Sequence, residues 1–218
     1  MTEAHRTIAE QLIAVAHRVD MRGLVAATDG NISARLPGGT ILTTPSGTNK
    51  GMLRAEDLVE VTMDGGIITG SRRPSTELKM HLFIYRHRPD INAVVHCHPV
   101  HATAMAAAGV PMQRNVFPEV VVTLGDIPLA PYGTPSTDAL AESLRPFVND
   151  HTAILLANHG VVTYAADLWD ACFLMEKVEQ TAHMLSVAAA FGGARPLTAA
   201  QVEELKHLAN TTYKRPQP

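Results

Sequence analysis

The sequence predicts an α/β fold of the α+β type, a central, mostly antiparallel β-sheet covered by helices. Three observations carry this. Several β-prone stretches are joined by connections short enough for hairpins, whereas a parallel pair needs a crossover of a dozen residues or more. Between them, apolar residues recur at helical spacing. No repeat, low-complexity segment or long linker divides the 218 residues, so residues 1–218 are read as one domain.

Ile8, Leu12, Val15 and Val19 form the stripe of an opening amphipathic helix that ends near Gly23. Strands are expected over Asn31–Leu36, Thr40–Thr44 and Leu58–Met63, separated by the turn signals Pro37-Gly38-Gly39 and Pro45-Ser46-Gly47. Asp64-Gly65-Gly66 before Ile67-Ile68 reads as a hairpin. A second helix should begin after Pro74, with Ser75 and Thr76 as N-caps and Leu78, Leu82 and Tyr85 on one stripe. Ile91–Cys97 reads as a buried strand, Val100–Ala108 as a helix, Ile127–Tyr132 as a strand, Asp138–Val148 as a helix and Thr152–Ala157 as an apolar strand. Leu168–Phe191 is the longest predicted helix, followed after Gly192-Gly193 by a short terminal helix and the tail Tyr213–Pro218.

Composition narrows the function. With 46% hydrophobic and 18% charged residues the chain is ordinary for a folded protein. A net charge of −3 provides no basic footprint for nucleic acid. No run of about 18 apolar residues exists to span a bilayer. Glu3, Glu10 and Asp20 interrupt the N-terminal apolar positions, unlike a signal peptide, and two cysteines, Cys97 and Cys172, make no disulfide framework. A cytoplasmic protein is the expectation. Eleven histidines are the one unusual count.

In Asn92-Ala-Val-Val-His96-Cys97-His98-Pro99 an apolar strand runs into a histidine pair. Strand side chains alternate faces, so His96 and His98 point one way and Cys97 the other. Two parallel imidazoles can share a borderline metal such as zinc, although an H-x-H alone is a weak signal among so many histidines. A third histidine stands in the same context: Thr152-Ala-Ile-Leu-Leu-Ala-Asn158-His159-Gly160 ends a buried strand at His159, with a glycine permitting close backbone approach. If the two strands are neighbours, three imidazoles converge with a coordination position left open, the pattern of a catalytic metal. His5, His17, His81, His87, His183 and His207 fall on predicted helices and are expected to face solvent; His151 falls in a loop, and His101 follows the pair at a helix start.

Arg72-Arg73-Pro74-Ser75-Thr76-Glu77 places a carboxylate in the first turn of the second helix. This is equally the signature of a helix cap and of an anion site, because helix N-termini present free N–H groups and positive dipole. On the second reading Ser75 and Thr76 hold a phosphate or carboxylate and Glu77 faces the metal. Asp29-Gly30-Asn31-Ile32-Ser33 and Thr43-Thr44-Pro45-Ser46-Gly47-Thr48 combine glycine with short polar side chains, which suits either a turn or a nest of N–H donors.

Gly30-Asn31-Ile32-Ser33, Thr44-Pro45-Ser46-Gly47, Pro74-Ser75-Thr76-Glu77, His96-Cys97-His98 and Asn158-His159-Gly160 occur in this order over nearly the whole chain. The set resembles the class II aldolase/adducin family, most closely its L-fuculose-phosphate aldolase branch. The resemblance implies a three-layer fold around the sheet and a cyclic homotetramer with sites between subunits. It implies Zn2+, or Mn2+ or Co2+, on His96, His98 and His159. Glu77 becomes the acid/base, which can also touch the resting metal, and Gly30, Asn31, Ser46, Gly47, Ser75 and Thr76 become the phosphate pocket. The non-catalytic adducin branch lacks the metal histidines, so their presence argues for an enzyme.

The loop tyrosine of fuculose-type aldolases is missing from Gln113-Arg114-Asn115-Val116-Phe117-Pro118-Glu119. Glu119 is either a substitute acid/base or a surface charge, and Tyr213 corresponds to a site-closing C-terminal tyrosine. The expected activity is metal-dependent retro-aldol cleavage, or formation, of a ketose phosphate. The metal stabilises an enediolate and Glu77 moves the proton. A sugar-phosphate 4-epimerase or a decarboxylase using the same stabilisation, and a metal-free interaction module, are the alternatives.

Overall fold

A computed structural model describes residues 2–110, 112 and 115–212. Its centre is a sheet of eight strands: β1 (Asn31–Arg35), β2 (Ile41–Thr43), β3 (Val59–Val61), β4 (Ile67–Thr69), β5 (Ala93–Cys97), β6 (Leu129–Ala130), β7 (Ala153–Leu156) and β8 (Gly160–Ala165). They lie in the order β4-β3-β2-β1-β5-β8-β7-β6. Every pairing is antiparallel except β6 with β7. The expected mixed fold with a mostly antiparallel sheet is therefore present.

Among the described residues there are seven α-helices, α1 (Glu3–Met21), α2 (Leu78–His87), α3 (Val100–Ala107), α4 (Pro118–Thr123), α5 (Asp138–Ser143), α6 (Leu168–Ala190) and α7 (Ala199–Thr211), which flank the sheet, α7 by packing on α4. Strand alternation sorts side chains into two cores. Ile32, Ala34, Ala93, Val95, Cys97 and Val161 pack with Leu12 and Val15 of α1 and with Met175 and Val178 of α6. On the opposite face Val94, Ile154, Val162 and Tyr164 pack with Leu82 and Ile84 of α2 and Leu140 of α5. Helix, sheet and helix make three layers. Among the described residues no helix is long and apolar enough to cross a membrane.

Local chemistry explains the boundaries. Thr2 caps α1 by accepting from the His5 N–H, Asp167 caps α6 by accepting from Asp170, and Thr198 with Gln201 forms a capping box at α7. Four expectations need correcting. The helix expected over Asp138–Val148 stops at Ser143, because Pro146 supplies no N–H and restricts the residue before it. The strand expected over Ile127–Tyr132 shrinks to Leu129–Ala130, bracketed by Pro128 and Pro131. The segment after His159 is strand β8, unforeseen because Asn158-His159-Gly160 reads only as the end of the preceding apolar strand. There Asn158 takes a left-handed φ of 57° and reverses the chain. Helix α4, which starts on Pro118, was also unforeseen.

Candidate metal centre

Strand β5 brings His96 to the α2 side of the sheet, while Cys97 turns into the opposite core. His98 follows just past the strand end, where its N–H donates to the Leu24 carbonyl at 3.1 Å. His159 arrives differently from the expectation. β5 and β7 are not neighbours, since β8 lies between them, and His159 sits in the turn joining β7 to β8. Gly160 makes the convergence possible: a Cβ there would lie 2.6 Å from the Cys97 carbonyl oxygen and 2.6 Å from His98 Cδ2. Gly160→Ala should therefore displace His98 and weaken metal binding at least about tenfold, the lower end of what disturbing a ligand's support costs. A metal titration at unchanged melting temperature checks this.

The three rings meet as a near-equilateral triangle, with centroids 4.8, 4.9 and 5.0 Å apart. One ligand atom from each lies within 4.8 Å of the others. Glu77 closes the cluster from α2, with Oε2 3.2 Å from His96 Nε2 and Oε1 3.0 Å from His159 Nε2. The correction here is one of position: α2 begins at Leu78, so Glu77 is its N-cap residue and not in its first turn. Its side chain makes no capping bond, so it is free to face the histidines. Ser75 and Thr76 precede the helix in the turn, and neither is its N-cap.

The donor set fits a divalent metal. His96 Nδ1 donates to the Val161 carbonyl at 2.8 Å, which fixes the tautomer and turns the Nε2 lone pair into the cluster. His98 Nε2 lies 3.0 Å from that atom, and its Nδ1 is 3.6 Å from Asp29 Oδ2. Glu77 Oε1 is buried without a hydrogen-bond partner of good geometry. Facing imidazole nitrogens and an orphaned carboxylate oxygen are what a cation bound at about 2.0–2.2 Å to N and O donors would satisfy.

Burial alone would push the Glu77 carboxyl up, but the adjacent His96 and His159 rings outweigh it and hold it well below the usual carboxylate range. Burial pushes His98 down to about 4, with His96 and His159 adding to the effect, so it stays a neutral ligand near pH 7.

His81 is the second correction. Expected to face solvent, it is only 1% exposed. It stands one helical turn after Glu77 and touches Asn31 and Ser33. Burial, with the nearby His96 adding to it, lowers it to about 3.

The residues of the expected phosphate pocket cluster at the same end of the sheet. Asn31 pairs across the ladder with His96, and its Nδ2 donates to Glu77 Oε2 at 2.8 Å. Gly30 takes a φ of 73°, and a Cβ there would lie 2.8 Å from the His96 carbonyl oxygen. The loops carrying Ser46-Gly47 and Ser75-Thr76 are tied together: Ser46 N–H donates to the Arg73 carbonyl at 2.9 Å and Ser75 N–H to that of Thr44 at 3.3 Å. Ser75 Oγ accepts from the Glu77 N–H and Thr76 Oγ1 from Ser136, so both hydroxyl protons remain available to an anion. Lys50, not singled out by sequence reading, is 1% exposed and donates to the Thr28 and Thr48 carbonyls, pinning the two glycine loops. Glu119 is exposed on α4, outside the cluster. Tyr213 lies outside the described residues.

A carboxylate on a helix N-cap stands beside three inward-facing imidazoles positioned to hold a metal ion, at the end of a mostly antiparallel sheet. The Class II Aldolase and Adducin N-terminal domain profile matches residues 10–186, and the chain belongs to that family. It is similar to 3-oxo-tetronate 4-phosphate decarboxylase of Escherichia coli (strain K12), with 35% identity over 94% of this chain and 97% of the relative. It is also 33% identical to 5-deoxy-D-ribulose 1-phosphate aldolase of Bacillus thuringiensis, over 90% of this chain and 92% of that protein. A solved L-fuculose 1-phosphate aldolase superposes with a TM-score of 0.87 at 29% identity, covering 96% of this chain and 97% of its own. The protein is an enzyme of the class II aldolase superfamily, whose aldolases are divalent-metal dependent and in which the relatives of this chain are lyases.

Proposed function

We propose that this enzyme decarboxylates a phosphorylated 3-oxo sugar acid, using zinc or another divalent metal on His96, His98 and His159. The observation that carries the reading is that Glu77 is the one carboxylate in contact with more than one member of the triad among the described residues. Retro-aldol cleavage needs two proton movements, one off the hydroxyl that becomes an aldehyde and one onto the carbon left behind. Decarboxylation needs only the second, because a carboxylate is already ionised and leaves as CO2. The missing loop tyrosine and the decarboxylase relative point the same way.

In this scheme the bond from the carboxylate carbon to C2 breaks, and its electron pair is delocalised onto the C3 oxygen. A divalent metal supplies the Lewis acid that stabilises charge on the substrate oxygens. Glu77 takes up one proton from solvent water and delivers it to C2, giving a ketone phosphate and returning as the carboxylate. Asn31 holds the carboxylate in place, and the loops carrying Gly30, Ser46, Gly47, Ser75 and Thr76 anchor the phosphate, turning remote binding into orientation. Ser75→Ala with Thr76→Ala should raise KM far more for a phosphorylated substrate than for its dephosphorylated form; an equal rise would show that these hydroxyls bind no phosphate.

A second reading, retro-aldol cleavage of a ketose 1-phosphate, is favoured by the aldolase relative and the superposed aldolase. It needs a second proton group, from Glu119 or Tyr213 reaching a neighbouring subunit's site in a cytoplasmic homotetramer. Product analysis separates the two: the 3-oxo acid gives CO2 and one ketone phosphate, whereas the ketose phosphate gives two carbonyl fragments. Cleavage of the ketose alone would replace the first reading by the second.

A further inference from the structure

A buried polar chain runs from Glu77 away from the metal ligands, and its hydrogen bonds can point only one way. Glu77, His81 and Tyr85 follow one another at four-residue intervals along the start and length of α2, facing β1, and Asn31 and Ser33 alternate on the matching face of that strand. Their side chains interleave. Asn31 Nδ2 meets Glu77 Oε2 at 2.8 Å, and His81 Nε2 meets Asn31 Oδ1 at 2.6 Å. Ser33 Oγ lies 2.7 Å from His81 Nδ1 and 2.9 Å from the Tyr85 hydroxyl.

Direction follows from what each group can do. An ionised carboxylate only accepts, so Asn31 turns its NH2 to Glu77 and leaves Oδ1 for His81. Amide oxygen also only accepts, so His81 Nε2 carries the proton. His81 is 1% exposed and touches no carboxylate, so a charged ring would be unpaired in the interior; the ring is neutral and Nδ1 accepts from Ser33. With its proton committed, Ser33 accepts from Tyr85. All five residues are buried.

We propose that His81 is a positioning residue for Glu77: by donating to Asn31 it locks the amide with its NH2 toward the carboxylate, and Ser33 and Tyr85 set the tautomer that lets it do so. Without that donor the amide can rotate and present its oxygen to Glu77, leaving two acceptors face to face and the carboxylate misaligned. The inference rests on Glu77 being the proton-transfer group.

The test pairs spectroscopy with kinetics on the zinc-loaded protein. In 15N-histidine-labelled enzyme, His81 is assigned from the resonances lost in His81→Phe, and the expected state at neutral pH is protonated Nε2 with bare Nδ1. His81→Phe should lower kcat roughly 10–100-fold with KM and metal content unchanged, the range seen when a group that orients an active-site residue is lost. His81→Gln, whose amide still donates to Asn31, should recover part of that loss. Ser33→Ala, a change too small to threaten the fold, should let the Nδ1-protonated tautomer appear. A wild-type His81 protonated on Nδ1, or full turnover in metal-replete His81→Phe, overturns the proposal. Unimpaired turnover in Glu77→Gln would instead remove the acid/base reading while leaving the tautomer result standing.

Discussion

Replacing His159 by alanine is expected to strip the enzyme of its metal and with it nearly all activity, while the fold stays intact. His159 belongs to a turn, not to a strand, and its ring packs against His96, His98 and Glu77 rather than into either apolar core. Its removal therefore leaves the cores unchanged and takes away one of the three nitrogens proposed to hold the metal. Loss of a ligand should exceed the roughly 10–100-fold that loss of a ligand's hydrogen-bond partner costs. Metal analysis after dialysis, beside the melting temperature of the metal-free proteins, is the check. Stoichiometric metal retained by His159→Ala would mean that the ion is held elsewhere.

The second large effect belongs to Glu77→Gln. Glutamine keeps the size of the side chain and can still accept from Asn31 Nδ2, and Glu77 makes no helix-capping bond that would be lost. Stability should change by about 1 kcal/mol or less, which for a chain of this size moves the melting temperature by roughly 2–4 °C. An amide cannot exchange the proton, and general acid–base groups contribute about 10²–10⁴-fold, so kcat should fall by that order. Metal content should largely survive on the three histidines. Near-normal turnover would make the carboxylate structural and move attention to Glu119.

Much of this site was legible in the sequence because strand parity is a simple rule. His96 and His98 flank an inward-facing Cys97, and a glycine after a histidine signals close approach, as Gly160 shows. The hairpin-short connections likewise announced an antiparallel sheet. What escaped were features set by tertiary neighbours. β8 was hidden because Asn158-His159-Gly160 reads as the end of an apolar strand, whereas the left-handed turn at Asn158 sends the chain straight back as a second one. His81 was assigned to solvent with the other helical histidines, most of which stand beside polar residues, although its four-residue spacing from both Glu77 and Tyr85 marked a shared helical face. Tyr85 was read as part of an apolar stripe, and its ring is indeed buried, but its hydroxyl completes the polar chain. Lys50 offered no signal, since a lysine in a loop is normally solvated and only the folded positions of Thr28 and Thr48 bury it.

The central claim is that one metal ion on three histidines, served by one carboxylate, drives decarboxylation of a phosphorylated 3-oxo acid. Its most direct measurement is a metal add-back titration: chelator-stripped enzyme receives zinc in small steps while CO2 release from a 3-oxo-tetronate 4-phosphate is followed. Activity should be absent at the start, rise linearly and break at one metal ion per chain, with one ketone phosphate formed for each CO2. Full CO2 release by protein shown to hold no divalent metal would contradict it.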